Sequence, residues 1–162
     1  MAFNVAFSVI VNIATNCKNI EDLQVTISHS SDLSVELEHE GQKDIFGKLR
    51  KFDCWLHYSY NEQYSYDVLN YVLFHAQNIE TLNLHWNISW DQFFVDTLHR
   101  NPLTKLKELN LYGGYEISET TCRLLSNLQS IRKLSFPAQV NAVFCKTLQN
   151  YAIQNNYDIF IC

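Results

Sequence analysis

The sequence predicts an α/β chain in which a short strand and a helix alternate about five times. Two observations predict it. The pattern apolar-x-x-apolar-x-apolar opens at Ile20, Leu49, Ile79, Leu106 and Ile131, so successive openings lie 25 to 30 residues apart. Helical apolar spacing fills most of the intervals between them, and a fixed period of this length is the mark of a stacked repeat. The apolar fraction of 47% against 18% charged residues can bury a core. Only four glycines and two prolines argue against a turn-rich sandwich or a long linker. At 162 residues the chain reads as one domain, residues 1–162.

The elements follow in order. FSVIVNIATNCKNIEDL at 7 to 23 aligns without a gap on YDVLNYVLFHAQNIETL at 66 to 82, so the first element is expected to be the helix of a unit whose strand is missing. Two expectations follow: a chain cut from a longer one, or docking of Phe3, Phe7 and Ile10 on another chain. NIEDLQV is the first strand, with Ile20, Leu23 and Val25 inward. In segment 27 to 48 Leu33, Val35 and Leu37 alternate with polar residues, which reads as an extra strand, followed by a helical turn near Ile45-Phe46. KLRKFDC, then IETLNL, KLKELNL and SIRKLSF, supply the next strands through Phe52 and Cys54, Leu82 and Leu84, Leu109 and Leu111, Leu134 and Phe136. YDIFIC is the last. Tyr64-Ser65, Ile88-Ser89, Ile117-Ser118 and Val140-Asn141 each set an apolar residue before a good helix cap. Helical spacing follows at Val68, Leu69, Val72 and Leu73; Phe93, Phe94 and Leu98; Cys122, Leu125 and Leu128; Phe144, Leu148 and Tyr151.

This unit resembles the leucine-rich repeat, in its long ribonuclease-inhibitor-like or cysteine-containing variety. CKNIEDLQV, with Cys17 three residues ahead of Ile20, is similar to the cysteine-containing repeats of F-box proteins, as is LNLYGGYEISETTCRLLSNLQSIRKLSF. There Ile117-Ser118 stands where those repeats usually have Ile-Thr-Asp. Only the first repeat carries the cysteine ahead of its strand, and the usual Asn or Cys after the strand is replaced. The resemblance implies a right-handed β-α solenoid with a parallel concave sheet and convex helices. The physics agrees, because one unit cannot bury its apolar face alone and neighbours must stack. In the resembled family an F-box motif would sit upstream, and this sequence has none.

Strand side chains alternate, so residues flanking the inward positions face out of the sheet. They form three columns. Asp22, Lys51, Thr81, Glu108 and Lys133 make the first; Gln24, Asp53, Asn83, Asn110 and Ser135 the second; Thr26, Trp55, His85, Tyr112 and Pro137 the third. Trp55, His85 and Tyr112 are aromatic where folding requires nothing aromatic. With Asp53, Asn83, Asn110, Lys51 and Glu108 beside them, they are the expected partner-binding residues, since buried aromatic anchors with polar neighbours dominate protein interfaces. The structural alternative is that the rings merely cover the strand ends. Trp86 extends the patch, whereas Trp90 reads as helix packing.

Other chemistry finds little support. A net charge of −5 with pI near 5.6 disfavours nucleic acid and anionic membranes as partners. No stretch reaches the roughly 18 apolar residues of a membrane span, and MAFNVAFSVIVNIATN lacks the basic start of a signal peptide. Five unpaired cysteines read as reduced, mostly buried thiols in a cytoplasmic or nuclear protein. Cys54 and His57 could form half a zinc site, but Cys54 occupies an inward position and no second ligand pair follows. His29, His39 and the run Glu36, Glu38, Glu40 read as solvated, and the sequon Asn87-Ile88-Ser89 as a helix cap. No phosphate loop, nucleophile elbow or zinc-protease motif is present. No metal, cofactor or catalytic activity is expected. The expected function is a non-catalytic module holding another protein on its concave face. The resemblance implies target recognition for an F-box-type ubiquitin ligase; the alternative is a scaffold or inhibitor outside ubiquitination.

Overall fold

A computed structural model of the chain describes residues 7–27, 45–56, 62–85, 90–113 and 128–136, together with 118, 121, 124–125, 146, 149–150, 152–154 and 158–161. The elements are α1 (Phe7–Asn16), β1 (Asp22–Ile27), β2 (Lys51–Leu56), α2 (Glu62–His75), β3 (Thr81–His85), α3 (Trp90–Arg100), β4 (Glu108–Tyr112), β5 (Lys133–Phe136) and β6 (Asp158–Ile161). The six strands form one sheet in chain order, and every neighbouring pair is parallel. Thr121, Leu124 and Leu125, then 149–150 and 152–154, are helical between the later strands. The fold is therefore α/β, with a parallel sheet and helical connections.

Register follows from the apolar pattern, because a slip of one residue would turn every inward side chain outward. Leu23, Phe52, Leu82, Leu109 and Leu134 pair across the sheet, as do Val25, Cys54, Leu84 and Leu111. All of them are buried. Val68, Leu69, Val72 and Leu73 of α2 and Phe93 and Phe94 of α3 join the same core, with Trp90 fully enclosed. Thr97 Oγ1 donates to Asn70 Oδ1 at 3.0 Å, tying α3 to α2.

The approach to the strands also repeats. The first apolar position closes a tight turn: the amides of Ile20, Leu49, Leu106 and Ile131 donate to the carbonyls of Cys17, Phe46, Leu103 and Leu128. One carbonyl then takes two successive amides from the following unit. Glu21 O accepts from Arg50 and Lys51, Arg50 O from Glu80 and Thr81, Glu80 O from Lys107 and Glu108, and Lys107 O from Arg132 and Lys133, all within 3.0 Å.

Several expectations need correction. Helix α2 starts at Glu62, so Ser65 lies inside it and does not cap it; Glu and Gln are good helix formers and carry the helix upstream. Helix α3 begins at Trp90, directly after Ser89, which lies outside the described residues. Ile10, expected to dock on another chain, is fully buried in this chain's own core, while Val9 is exposed; the side chain of Phe7 lies outside those described. Residues 45–48 form a turn that buries Phe46, and its amide donates to His75 O at 3.1 Å. The expected strand at Leu33 to Leu37, with His29, His39 and the glutamates 36, 38 and 40, lies outside the described residues. So do Phe3, Trp86, the sequon and His57. Among the described residues no helix is long and apolar enough to cross a membrane.

Candidate functional site

The outward columns assemble in register. Thr26, Trp55, His85 and Tyr112 stand side by side on β1 to β4. Parallel strands lie roughly 4.8 Å apart, close to the spacing at which flat rings stack, so aromatic residues at one strand position are driven face to face. Trp55 and His85 stack with ring centroids 3.6 Å apart and planes 9° from parallel. His85 and Tyr112 stack at 4.3 Å and 14°. The three form a continuous ladder. Trp55 is 41% and Tyr112 37% exposed, and His85, with both faces covered, is half-buried. Thr26, expected to open the same column outward, is buried.

Beside the ladder runs the second column. Asn110 Nδ2 donates to Asn83 Oδ1 at 2.7 Å and to Glu108 Oε1 at 3.3 Å. Asn83 Nδ2 reaches Asp53 Oδ2 at 3.5 Å. These amides are linked to one another, and Asn110 Oδ1 is buried without a hydrogen bond among the described residues. Asn110 and Ser135 are buried, so Asn110 cannot meet a partner directly as expected; it braces Asn83 and Glu108 instead. Asp53 Oδ1 is buried without a hydrogen bond among the described residues and faces His85 Nε2 at 3.4 Å. Burial pushes the His85 pKa below its ordinary 6.5, against the upward pull of Asp53. The imidazole is therefore neutral at pH 7, and the contact is a polar one rather than an ion pair.

The first column is an ionic row. Lys51 pairs with Asp22 at 3.1 Å, and Lys133 pairs with Glu108. Hydrogen bonding from Lys133 holds the Glu108 carboxyl below the usual range. One residue upstream, Glu80 bridges Arg50 and Lys107, each at 2.6 Å, and the bond from Lys107 chiefly lowers its pKa. Sequence reasoning named the first column, with Lys51 and Glu108 as binding residues, but passed over the pairing within it and Arg50, Glu80 and Lys107 upstream; the signal was the recurring basic residues of KLRK, KLKE and SIRK.

Cys54 occupies the inward position and its thiol is fully buried, with burial and then Asp53 pushing its pKa far up. Cys17, expected among mostly buried thiols, is exposed at the end of α1. Among the described residues no group of three or more His, Cys, Asp or Glu is placed to hold a metal ion. What the face offers is two exposed rings, a linked amide column and a row of paired charges. No family model matches the chain, and no curated protein matches it.

Proposed function

We propose that the chain is a right-handed leucine-rich-repeat solenoid of about five units that binds another protein on the outward, concave face of its sheet. The equal register of five strands, the recurring turn and the carbonyl that takes two amides from the next unit support this architecture. The Trp55–His85–Tyr112 ladder carries the binding reading. An outward sheet position costs nothing to fill with a polar residue, yet here two large rings keep more than a third of their surface in water. Their stacking and the braced amides beside them fix the rotamers in advance, which lowers the entropic cost of binding. The similarity to F-box repeats supports a narrower version, in which the bound protein is a target for a ubiquitin ligase and the chain acts without catalysis in the cytoplasm or nucleus.

Affinity capture from lysate tests this, with wild type beside Trp55→Ala/Tyr112→Ala and circular dichroism to show that both are folded. The expected result is a partner retained by the wild type and lost by the double variant. A partner held equally by both would overturn the ladder reading. Ligase components in the retained complex favour the ubiquitin version; a single tight partner without them favours a scaffold or inhibitor.

A further inference from the structure

The charges of the sheet are segregated. The three residues ahead of each strand and the residue that opens it carry seven of the chain's 12 Lys and Arg but only five of its 17 Asp and Glu. This strand-entry rim is net positive in a chain of net charge −5. Its acids are largely consumed: Asp22 by Lys51, Glu108 by Lys133, and Glu80 by both Arg50 and Lys107. Three exposed rim cations are held by neutral oxygens instead: Lys48 by Asn19 Oδ1 at 2.8 Å ahead of β2, and two at the β4–β5 end. Lys105 donates to Asn78 Oδ1 at 2.5 Å. Arg132 donates to the carbonyls of Gln129 and Ile131 at 3.1 and 2.8 Å. Among the described residues neither Lys105 nor Arg132 pairs with a carboxylate, and the two lie together, because Arg132 follows Lys107 across the sheet and Lys105 precedes Lys107 by two residues.

We propose that the β4–β5 end of this rim, centred on Lys105, Lys107 and Arg132, docks an acidic segment of a partner protein. The proposal rests on the reading of the adjoining outward face as a protein-binding surface, and names the chemistry of what lies beside it. Spacing favours a peptide. Alternate side chains of an extended chain are roughly 6.6 Å apart, and neighbouring strands roughly 4.8 Å, so two carboxylates on one side of a strand reach Lys105 and Arg132 together. A nucleic acid fits less well, since Glu80 and Glu108 interrupt the row at the adjacent strands β3 and β4 and would meet its continuous phosphates.

The test is fluorescence anisotropy of a fluorescein-labelled decapeptide of alternating Glu and Ser, titrated with the full chain at about 0.01 M and about 0.15 M salt. Over that range the screening length drops from about 30 Å to about 8 Å. The expected result is binding that weakens with salt and falls about tenfold in Lys105→Glu/Arg132→Glu, with Lys105→Gln/Arg132→Gln in between. Circular dichroism shows whether the variants fold, and the neutral pair serves if the charge-reversed one does not. Trp55→Ala/Tyr112→Ala is expected to bind the peptide unchanged, so failure of the ladder reading and failure of this one are separable. No binding by the wild type, equal binding by the rim variants, or tighter binding of an oligothymidylate of equal charge would each overturn the proposal.

Discussion

At the scale of single residues, environment decides chemistry. Cys54 and Cys17 are the same side chain in opposite settings, one sealed in the core with its thiol pushed up, the other at a helix end in water. Thiolate is the reactive form, so brief iodoacetamide treatment of the native protein should modify Cys17 and spare Cys54. Peptide mapping reads this directly, and modification of Cys54 before unfolding would contradict its burial. His85 gives a pH signature. Its folded pKa lies below 6.5 through burial, so the unfolded chain binds a proton at a pH where the folded chain does not. Stability should therefore fall as pH drops below about 6.5, and this loss stops once the folded imidazole itself protonates. Thermal melts across that window should show the decline in wild type and a smaller one in His85→Gln. Glu80 and Glu108 act elsewhere: their folded pKa values are lowered from 4.5, so their contribution is present above 4.5 and disappears at more acid pH. Leu103, at φ 45°, sits in the left-handed region, which costs a side-chain-bearing residue about 1–2 kcal/mol. Asn101 holds it there, accepting from the Leu103 amide at 3.0 Å while donating to Leu73 O. Asn101→Ala strands both buried groups and should cost about 1–3 kcal/mol in chemical denaturation.

At the scale of elements, the strand is the unit that the sequence announces and the ladder is what the strands make of it. Leu82 and Leu84 predict their own burial through period-two alternation, and the five matching segments predict register as well, since only one alignment keeps every apolar residue inward. The three columns were legible for the same reason. Burial within them was not. Asn110 and Ser135 look as outward as Asn83 on paper, but a parallel sheet packs neighbours on both sides of a central residue and closes over short side chains, while Trp55 and Tyr112 are long enough to project beyond them. Helix starts were less legible, as Ser65 shows: a good capping residue can equally stand inside a helix whose preceding residues are strong formers. The stacking geometry was hidden too, because a sequence places rings in one column without saying that each will cover the next. His85, in the middle rung, should matter most to that stack. His85→Ala removes two stacked contacts at about 0.5–1.5 kcal/mol each, whereas Trp55→Ala removes one, and urea denaturation should rank them in that order.

At the scale of the molecule, order along the chain and order across the sheet are the same. Each strand is bonded to its sequence neighbours; in the solenoid we propose, coupling passes from unit to unit and stability behaves as a sum of units and interfaces. Hydrogen exchange should therefore be slowest in β3 and β4, which have neighbours on both sides and the ladder above them, and faster in β1 and β6. Uniform protection from β1 to β6 would contradict this.

The recurring carbonyl that clasps two amides at the next strand makes the strand and its approach the part of each unit that an edit must keep whole, while the connections differ in length from unit to unit. Excising residues 79 to 105 joins Asn78 to Leu106 and brings β2 against β4 with Phe52 beside Leu109, Cys54 beside Leu111 and Trp55 beside Tyr112, every column intact. Removing one residue from within Thr81–His85 instead turns the rest of that strand's side chains to the wrong face. A gene for such a chain can lengthen or shorten by duplication and loss of one period, and the breakpoints that conserve it are written in the hydrogen bonds at the mouth of each strand.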